Sequence, residues 1–339
     1  ERLDFAVMNE QALANALQRL ARAAERWIAV LEGHEERDPS ETGNPGWSQL
    51  ADTLRRGGFK VQSLNLIRTP QIPDNATMLV VASPQRELLP GEVAAIQSYV
   101  RSGGNLLWLQ DPGAGLHGLQ PLADELGVRF TKGVIVDANP ELRLLLGIQH
   151  PAVIPVVDYR AHPVTRELDV QTLFPYAGAV EHQGNLDWRA EPFLVSLPQT
   201  WSEVAELSGE IVFEPETGDR RGPLNIGLSL TRDLPAVEAG EGDDAVPGGR
   251  QQRIVIVGDS DFLANGYLGN GGNLELATNI FNWLSRDDAL IAITPKTAPD
   301  TRLELGDVST IVIGIGFLFV LPLLLVGSGI TIWLRRRRL

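Results

Sequence analysis

The sequence predicts an α/β protein: a parallel sheet flanked by helices, with a mostly β insertion and one C-terminal transmembrane helix. Three observations carry this. Short apolar runs alternate with helical patterns over residues 26–137 and again over 253–285, which is the rhythm of βαβ units. The strand-like runs, such as "NLLWLQDP" and "RIVIVGD", are continuously apolar, as strands buried on both faces are. No charged residue occurs from Ser309 to Leu334, a stretch long enough to span a bilayer as a helix.

The elements come in this order. Residues 9–25 place apolar side chains at helical spacing without a breaker, an amphipathic helix. "RWIAVL" is a first strand running into the polar loop "EGHEERDPSETGNPG". "WSQLADTLRRGG" is a helix closed by Gly57 and Gly58, since glycine is the usual residue past a helix end. "FKVQSLNL" and "ATMLVVASP" are the second and third strands, and "LPGEVAAIQSYVRSGG" is a helix with proline in its first turn and paired glycines at its stop. "NLLWLQDP" is the fourth strand, "LQPLADELG" a helix and "VRFTKGVIVDA" a fifth strand. From about Asn139 to Arg250 the rhythm fails, leaving scattered prolines, short pieces such as "PAVIPVV", "EIVFE" and "LNIGLSL", and the loop-like "VEAGEGDDAVPGG". "RIVIVGD" then restores the sheet, and "GGNLELATNIFNWLS" is a helix whose apolar stripe is Leu274, Ala277, Ile280, Phe281 and Leu284. This divides the chain into an N-terminal amphipathic helix at 1–26 that continues an upstream part, an α/β domain of 27–138 plus 252–287, an insertion at 139–251, a membrane-proximal linker at 288–307, a transmembrane helix at 308–334 and a basic tail at 335–339.

Composition narrows the function. The chain has 339 residues, 43% hydrophobic and 21% charged, a globular balance. It has no cysteine, which excludes disulfides, thiolate metal sites and a cysteine nucleophile. Its lysines, Lys60, Lys132 and Lys296, stand outside any Gly-Lys-Ser/Thr, so there is no P-loop. "SGGN" and "GNGGN" lack the spacing of a dinucleotide fingerprint, and no cofactor is expected. Arg335, Arg336, Arg337 and Arg338 directly after the apolar run mark a cytoplasmic side. Trp333 suits the interface, and Pro322 is tolerated as a mild kink. Gly314, Gly316, Gly327 and Gly329 would let another helix approach closely, and membrane lipid would surround the rest. The expected topology thus puts the C-terminus inside and residues 1 to about 307 outside. A chain beginning at Glu1 and facing outward is expected to follow a translocation signal or a first membrane helix. All 43 acidic residues and 25 of the 29 basic ones lie before Ser309, a balance of −18. Such a surface repels nucleic acid.

One stretch invites chemistry: Gly258-Asp259-Ser260-Asp261, at the end of an apolar strand. As a serine nucleophile, Ser260 needs a histidine base. The five histidines, His34, His117, His150, His162 and His182, all precede it. As an aspartyl phosphotransferase turn, the pattern wants threonine or valine where Leu263 stands. As a metal or ligand edge, it joins other acidic strand ends, Glu32, Asp111 and Asp137. Parallel sheets gather ligands at their carboxyl edge, and oxygen donors suit Mg²⁺ or Ca²⁺. As a plain turn, either aspartate caps the short segment "DFLANG". His34, flanked by Glu35 and Glu36, is an acid/base candidate or part of a solvated loop. An envelope hydrolase or metal-dependent enzyme working from Glu32, His34, Asp259 and Ser260 is one reading of the chain. A static membrane scaffold is another.

"YVRSGGNLLWLQDP", "VGDSDFLANGYLGNGGNLELATNIFNWLS" and the apolar run ending in "RRRR" together resemble the Gld-type, GldG-like auxiliary components of ABC-2-type transport systems, first associated with gliding motility. The order and spacing of these blocks carry the resemblance from about Met8 to Arg338. It implies an inner-membrane protein with a large periplasmic domain. Its partners would be a separate ATPase, an ABC-2-type permease and other envelope proteins. It also implies a class I glutamine amidotransferase-like fold that is catalytically empty, because the chain has no cysteine for the elbow where that chemistry is done. The expected role is that of a non-catalytic extracytoplasmic subunit, binding substrate or an envelope partner and coupling to the permease.

Overall fold

Strand β1 (Arg26–Leu31) lies at the centre of a sheet, with β2 (Phe59–Leu64) parallel on one side and β3 (Ala76–Ala82) parallel on the other. The computed structural model describes residues 25–113, 115–137, 139–184, 187–207, 211–235 and 251–286, with isolated positions between 322 and 337. Two compact units divide the chain, Glu1–Thr294 and Pro295–Leu339.

The first unit is built on seven strands in the order β10-β13-β14-β4-β3-β1-β2, where β4 is Leu106–Leu109, β10 Arg189–Val195, β13 Asn225–Asp233 and β14 Gln251–Val257. Side chains alternate between the faces, as a pleated strand requires. Met78, Val80 and Ala82 of β3 face one apolar layer with Leu107, Leu109, Val255 and Val257. Leu79 and Val81 face the other with Leu106, Trp108, Ile254 and Ile256. Helices α1 (Ser48–Arg56) and α5 (Asn273–Leu284) cover the first face through Leu50, Leu54, Leu276 and Ile280. Helices α2 (Pro90–Arg101) and α3 (Gln120–Leu126) cover the second through Val93, Ile96, Leu122 and Leu126. Burying each such aliphatic side chain contributes about 1.5–3 kcal/mol. The stripe predicted for α5 is off by two positions at its start. Leu274 is 39% exposed, while Leu276 is fully buried.

The predicted fold class needs correction. The sheet is mixed: β13 runs antiparallel to both β14 and β10. The reason is in the connections. A parallel neighbour requires a crossover of a dozen or more residues, usually helical. Among the described residues no α-helix forms between α4 (Pro140–Leu145) and α5. The segment read as an insertion therefore supplies two antiparallel strands to the main sheet.

The predicted fifth strand is likewise two short ones, β5 (Val128–Phe130) and β6 (Val134–Val136), in different small sheets. Gly133 separates them at φ +92°, and a Cβ there would lie 2.6 Å from the Glu203 carbonyl oxygen. Strand β5 pairs with β9 (Val180–His182), and β6 with β11 (Trp201–Glu203), which carries β12 (Arg220–Arg221). Strands β7 (Val153–Val156) and β8 (Thr172–Pro175) form a hairpin of their own. The result is richer in β-structure than the sequence suggests.

Among the described residues no helix is long and apolar enough to cross a membrane. The transmembrane helix of the predicted fold class is thus not found, and most of 308–334 lies outside the described residues. So do the helix predicted at 9–25, Gly314, Gly316, Arg335, Arg336 and Arg338. In the second unit Gly327 and Gly329 occupy exposed helical positions, and the Arg337 guanidinium sits 5.1 Å from the centre of the Trp333 ring.

Candidate functional site at the carboxyl edge of the sheet

Strands β1, β3, β4 and β14 are mutually parallel, so the loops that leave them meet at one edge. The chain goes from β1 to β2 on one side and then to β3 on the other. That reversal opens a crevice at the carboxyl ends, the usual ligand position in such sheets. Here the crevice holds about 550 Å³ and is lined by Glu35, Glu36, Arg37, Ser83, Gln85 and Asp111, among others.

Arg37 organises it. Its Nε donates to Ser260 Oγ at 2.9 Å, and its Nη2 donates to Asp261 Oδ1 at 2.6 Å and to Asp111 Oδ2 at 3.2 Å. Its backbone N–H holds the Ala82 carbonyl at the end of β3. Ser260 in turn donates its hydroxyl to Asp111 Oδ2 at 2.7 Å and its N–H to Asp111 Oδ1 at 2.6 Å. One carboxylate oxygen from each of Asp111, Asp259 and Asp261 lies within 4.8 Å of the other two. Burial raises the Asp259 carboxyl well above the ordinary aspartate range, and the neighbouring Asp111 and Asp261 charges push it further. Burial also raises Asp261; Arg37 opposes that shift and Asp111 adds to it. Burial raises the Tyr267 phenol, and nearby Asp261 adds to that.

Two lining residues carry backbone strain. Glu35 has φ +62° and Ser83 φ +51°. Side chains other than glycine reach that region at a cost of about 1–2 kcal/mol, and such residues cluster at functional sites. Ser83 accepts a hydrogen bond from the Asp111 N–H on its Oγ at 3.1 Å.

The structure sorts the sequence candidates. It gathers Asp111, Asp259, Ser260 and Asp261. Glu32 is exposed at the end of β1. His34 turns away and is 4% exposed; its Nδ1 and Nε2 each lie 3.0 Å from a carboxylate oxygen, of Glu36 and Glu92 respectively. Asp137 stands apart at the end of β6, accepting from the Asn139 N–H and from Gln199 Nε2. Sequence reasoning missed Arg37, Glu92, Ser83 and Gln85. A signal for Arg37 existed. It is the sole basic residue in a loop of five acidic ones, 32–46, and a set of acidic strand ends requires a counterion.

Much of the Gly258–Trp283 block has structural duties. A Cβ on Gly258 would lie 2.1 Å from the Gly178 carbonyl oxygen, and Gly178 donates its N–H to the Gly258 carbonyl at 2.7 Å. Asn265 donates to the carbonyls of Glu41 and Gly43, pinning the loop that follows Arg37. Asn273, fully buried, donates to the carbonyls of Leu173, Phe262 and Tyr267.

The fold is thus a mixed α/β sheet with a polar crevice at its carboxyl edge. The family model described as ABC-type uncharacterized transport system matches residues 25–286, and the chain belongs to that family. It is an auxiliary component of an ABC-type transport system, which implies association with the other transporter subunits. No curated protein matches the chain. Among solved structures it is similar to the mmIFT52 N-terminal domain, at 17% identity and a TM-score of 0.51, covering 76% of this chain and 97% of that one. It is also similar to a β-galactosidase from Rahnella sp. R3, at 11% identity and a TM-score of 0.40, over 79% of this chain and 32% of that one. The first likeness shows the fold, and with the mixed sheet it replaces the amidotransferase-like fold implied by the resemblance.

Proposed function

We propose that the chain is a non-catalytic, GldG-like extracytoplasmic subunit of an ABC-2-type transport system. It binds substrate or an envelope partner in the carboxyl-edge crevice and couples that binding to the permease. The observation that carries the reading is the crevice itself, an open cavity of about 550 Å³ whose wall includes two strained residues, Glu35 and Ser83. Family membership supplies the transporter. Support for binding without chemistry comes from the side chains that would have to react. Ser260 is fully buried, and its hydroxyl is engaged by both Asp111 and Arg37. His34 spends both ring nitrogens on carboxylates. Ser260 and His34 do not pair with each other, as a histidine-activated serine nucleophile would require. An inner-membrane location with the domain outside is supported by the family's association with a transporter and by the arginines that end the sequence. Coupling then means that ATP-driven movement of the permease favours one of two states of the bound domain, to the extent that its ligand distinguishes them.

The test is affinity purification of the full-length chain from membranes in mild detergent, with mass spectrometry of the recovered subunits. The expected result is an ATPase and a permease in stoichiometric amounts. Recovery of the chain alone would overturn the reading.

A further inference from the structure

The buried polar core behind the crevice does not balance its charge. Three carboxyls, Asp111, Asp259 and Asp261, converge there, and the guanidinium that reaches them, Arg37, contacts only the outer two. Asp259 is fully buried. Its Oδ1 accepts the Asp261 N–H at 2.7 Å, and its Oδ2 has no hydrogen-bond partner. One Asp259 oxygen lies within 4.8 Å of an oxygen of Asp111 and one of Asp261, and the unpartnered oxygen is that one or its neighbour on the same carbon. Leaving such an acceptor unpaired in the interior costs about 1–3 kcal/mol. The turn does not explain it, because the Oδ1 bond that shapes the turn would be made equally well by asparagine. What asparagine lacks is the second carboxyl oxygen.

We propose that Asp111, Asp259 and Asp261 form a binding site for a hard divalent cation, with Ca²⁺ the best fit. The donor set is all oxygen, the chemistry that Ca²⁺ and Mg²⁺ select. Oxygens across a Ca²⁺ ion stand about 4.6–5.2 Å apart, and across Mg²⁺ about 4.0–4.2 Å. The three oxygens lie within 4.8 Å of one another, close enough to share one ion, and the flexible Ca²⁺ shell tolerates a wider set than the octahedral Mg²⁺ one. The adjoining crevice admits the waters that complete the shell. Arg37 supplies a single positive charge to three acids, which lets the site persist when empty. The cation would then order the floor of the crevice, since Asp111 also positions Ser260 and Ser83. This inference does not depend on the transporter reading.

The experiment strips the full-length chain with a chelator and titrates Ca²⁺ and Mg²⁺ by calorimetry. Parallel titrations use Asp259→Asn, which keeps the Oδ1 acceptor and hence the turn, and Asp261→Asn. The expected result is one cation per chain, weakened more than about tenfold in each variant, with the melting temperature of the wild type rising as the cation is added. Binding that survives unchanged in both variants would put the cation elsewhere, and absence of binding at millimolar Ca²⁺ and Mg²⁺ would dismiss the site; either overturns the proposal.

Discussion

The two ends of the central sheet handle buried polar groups in opposite ways. At the amino end, Asn105 donates to the Leu284 carbonyl and accepts the Arg253 N–H. Gln252 donates to the carbonyls of Val100 and Gly104 and accepts from Arg232. Arg253 holds the Trp283 carbonyl. These groups close helix ends onto strand starts. At the carboxyl end, Asp259 Oδ2, Gln110 Oε1 and Glu92 Oε1 are buried without partners. Asn105 and Gln252 are as deeply buried as Asp259 and Gln110, so the difference is not one of burial. A satisfied network serves stability alone, whereas unsatisfied acceptors persist where something other than stability is served.

The largest expected effect falls at the amino end. Asn105→Ala leaves the Leu284 carbonyl and the Arg253 N–H buried and unpaired, at about 1–3 kcal/mol each. A loss of about 4 kcal/mol in urea unfolding is therefore expected, with cation affinity unchanged in what remains folded. A loss below about 1 kcal/mol would mean that this network does not serve stability, and the contrast between the ends would fail.

The second prediction concerns acid. His162 lies between the rings of Phe193 and Trp283, each 5.0 Å away. Burial, followed by the charges of Arg253 and Arg166, lowers it to about 4. The unfolded chain takes up this proton near pH 6.5 and the native chain only near pH 4, so the unfolded state binds more protons between them. Stability from this group is present above about pH 6.5 and is lost as pH falls through that window, by about 3 kcal/mol at most. Asp259 has the opposite sign. Its native carboxyl, raised by burial, holds a proton that the unfolded chain releases, so its contribution is lost as pH rises. Unfolding measured across pH should show His162→Gln flattening the acid side alone. If it flattens neither side, the titrating group lies elsewhere.

This contrast also explains what could be read from sequence. β1, β3, β4 and β14 were legible because strands buried on both faces leave an unbroken apolar run, and α2 because Pro90 and the paired glycines punctuate it. β13 was legible as the piece "LNIGLSL", but β10 and the antiparallel pairing of the two were not, because that pairing depends on the absence of a crossover helix, which no local pattern records. The acidic strand ends were legible as a group, because a parallel sheet gathers its carboxyl ends, but that group also held Glu32, His34 and Asp137, and only Asp111, Asp259, Ser260 and Asp261 meet. Arg37 was hidden. It sits among exposed-looking acids, and its partners Asp111 and Asp261 are 74 and 224 residues away. His34 misled for the same reason. Glu92, which engages it, is 58 residues away and begins α2 by accepting the Leu89 N–H.

The smallest effect is the most telling because its sign is reversed. Asp259→Asn keeps the bond to the Asp261 N–H and replaces the unpartnered acid oxygen with an amide donor facing the Asp111 and Asp261 carboxylates. In chelator at neutral pH the variant should gain about 1 kcal/mol, or about 2–4 °C in melting temperature. Adding Ca²⁺ should then stabilise the wild type and leave the variant where it was, so that the order of the two melting curves inverts. Stability withheld until a ligand arrives is the mark of a site kept for function. If Asp259→Asn instead destabilises the cation-free chain, Asp259 is a structural turn residue like Asn105, and the two ends of the sheet are alike after all.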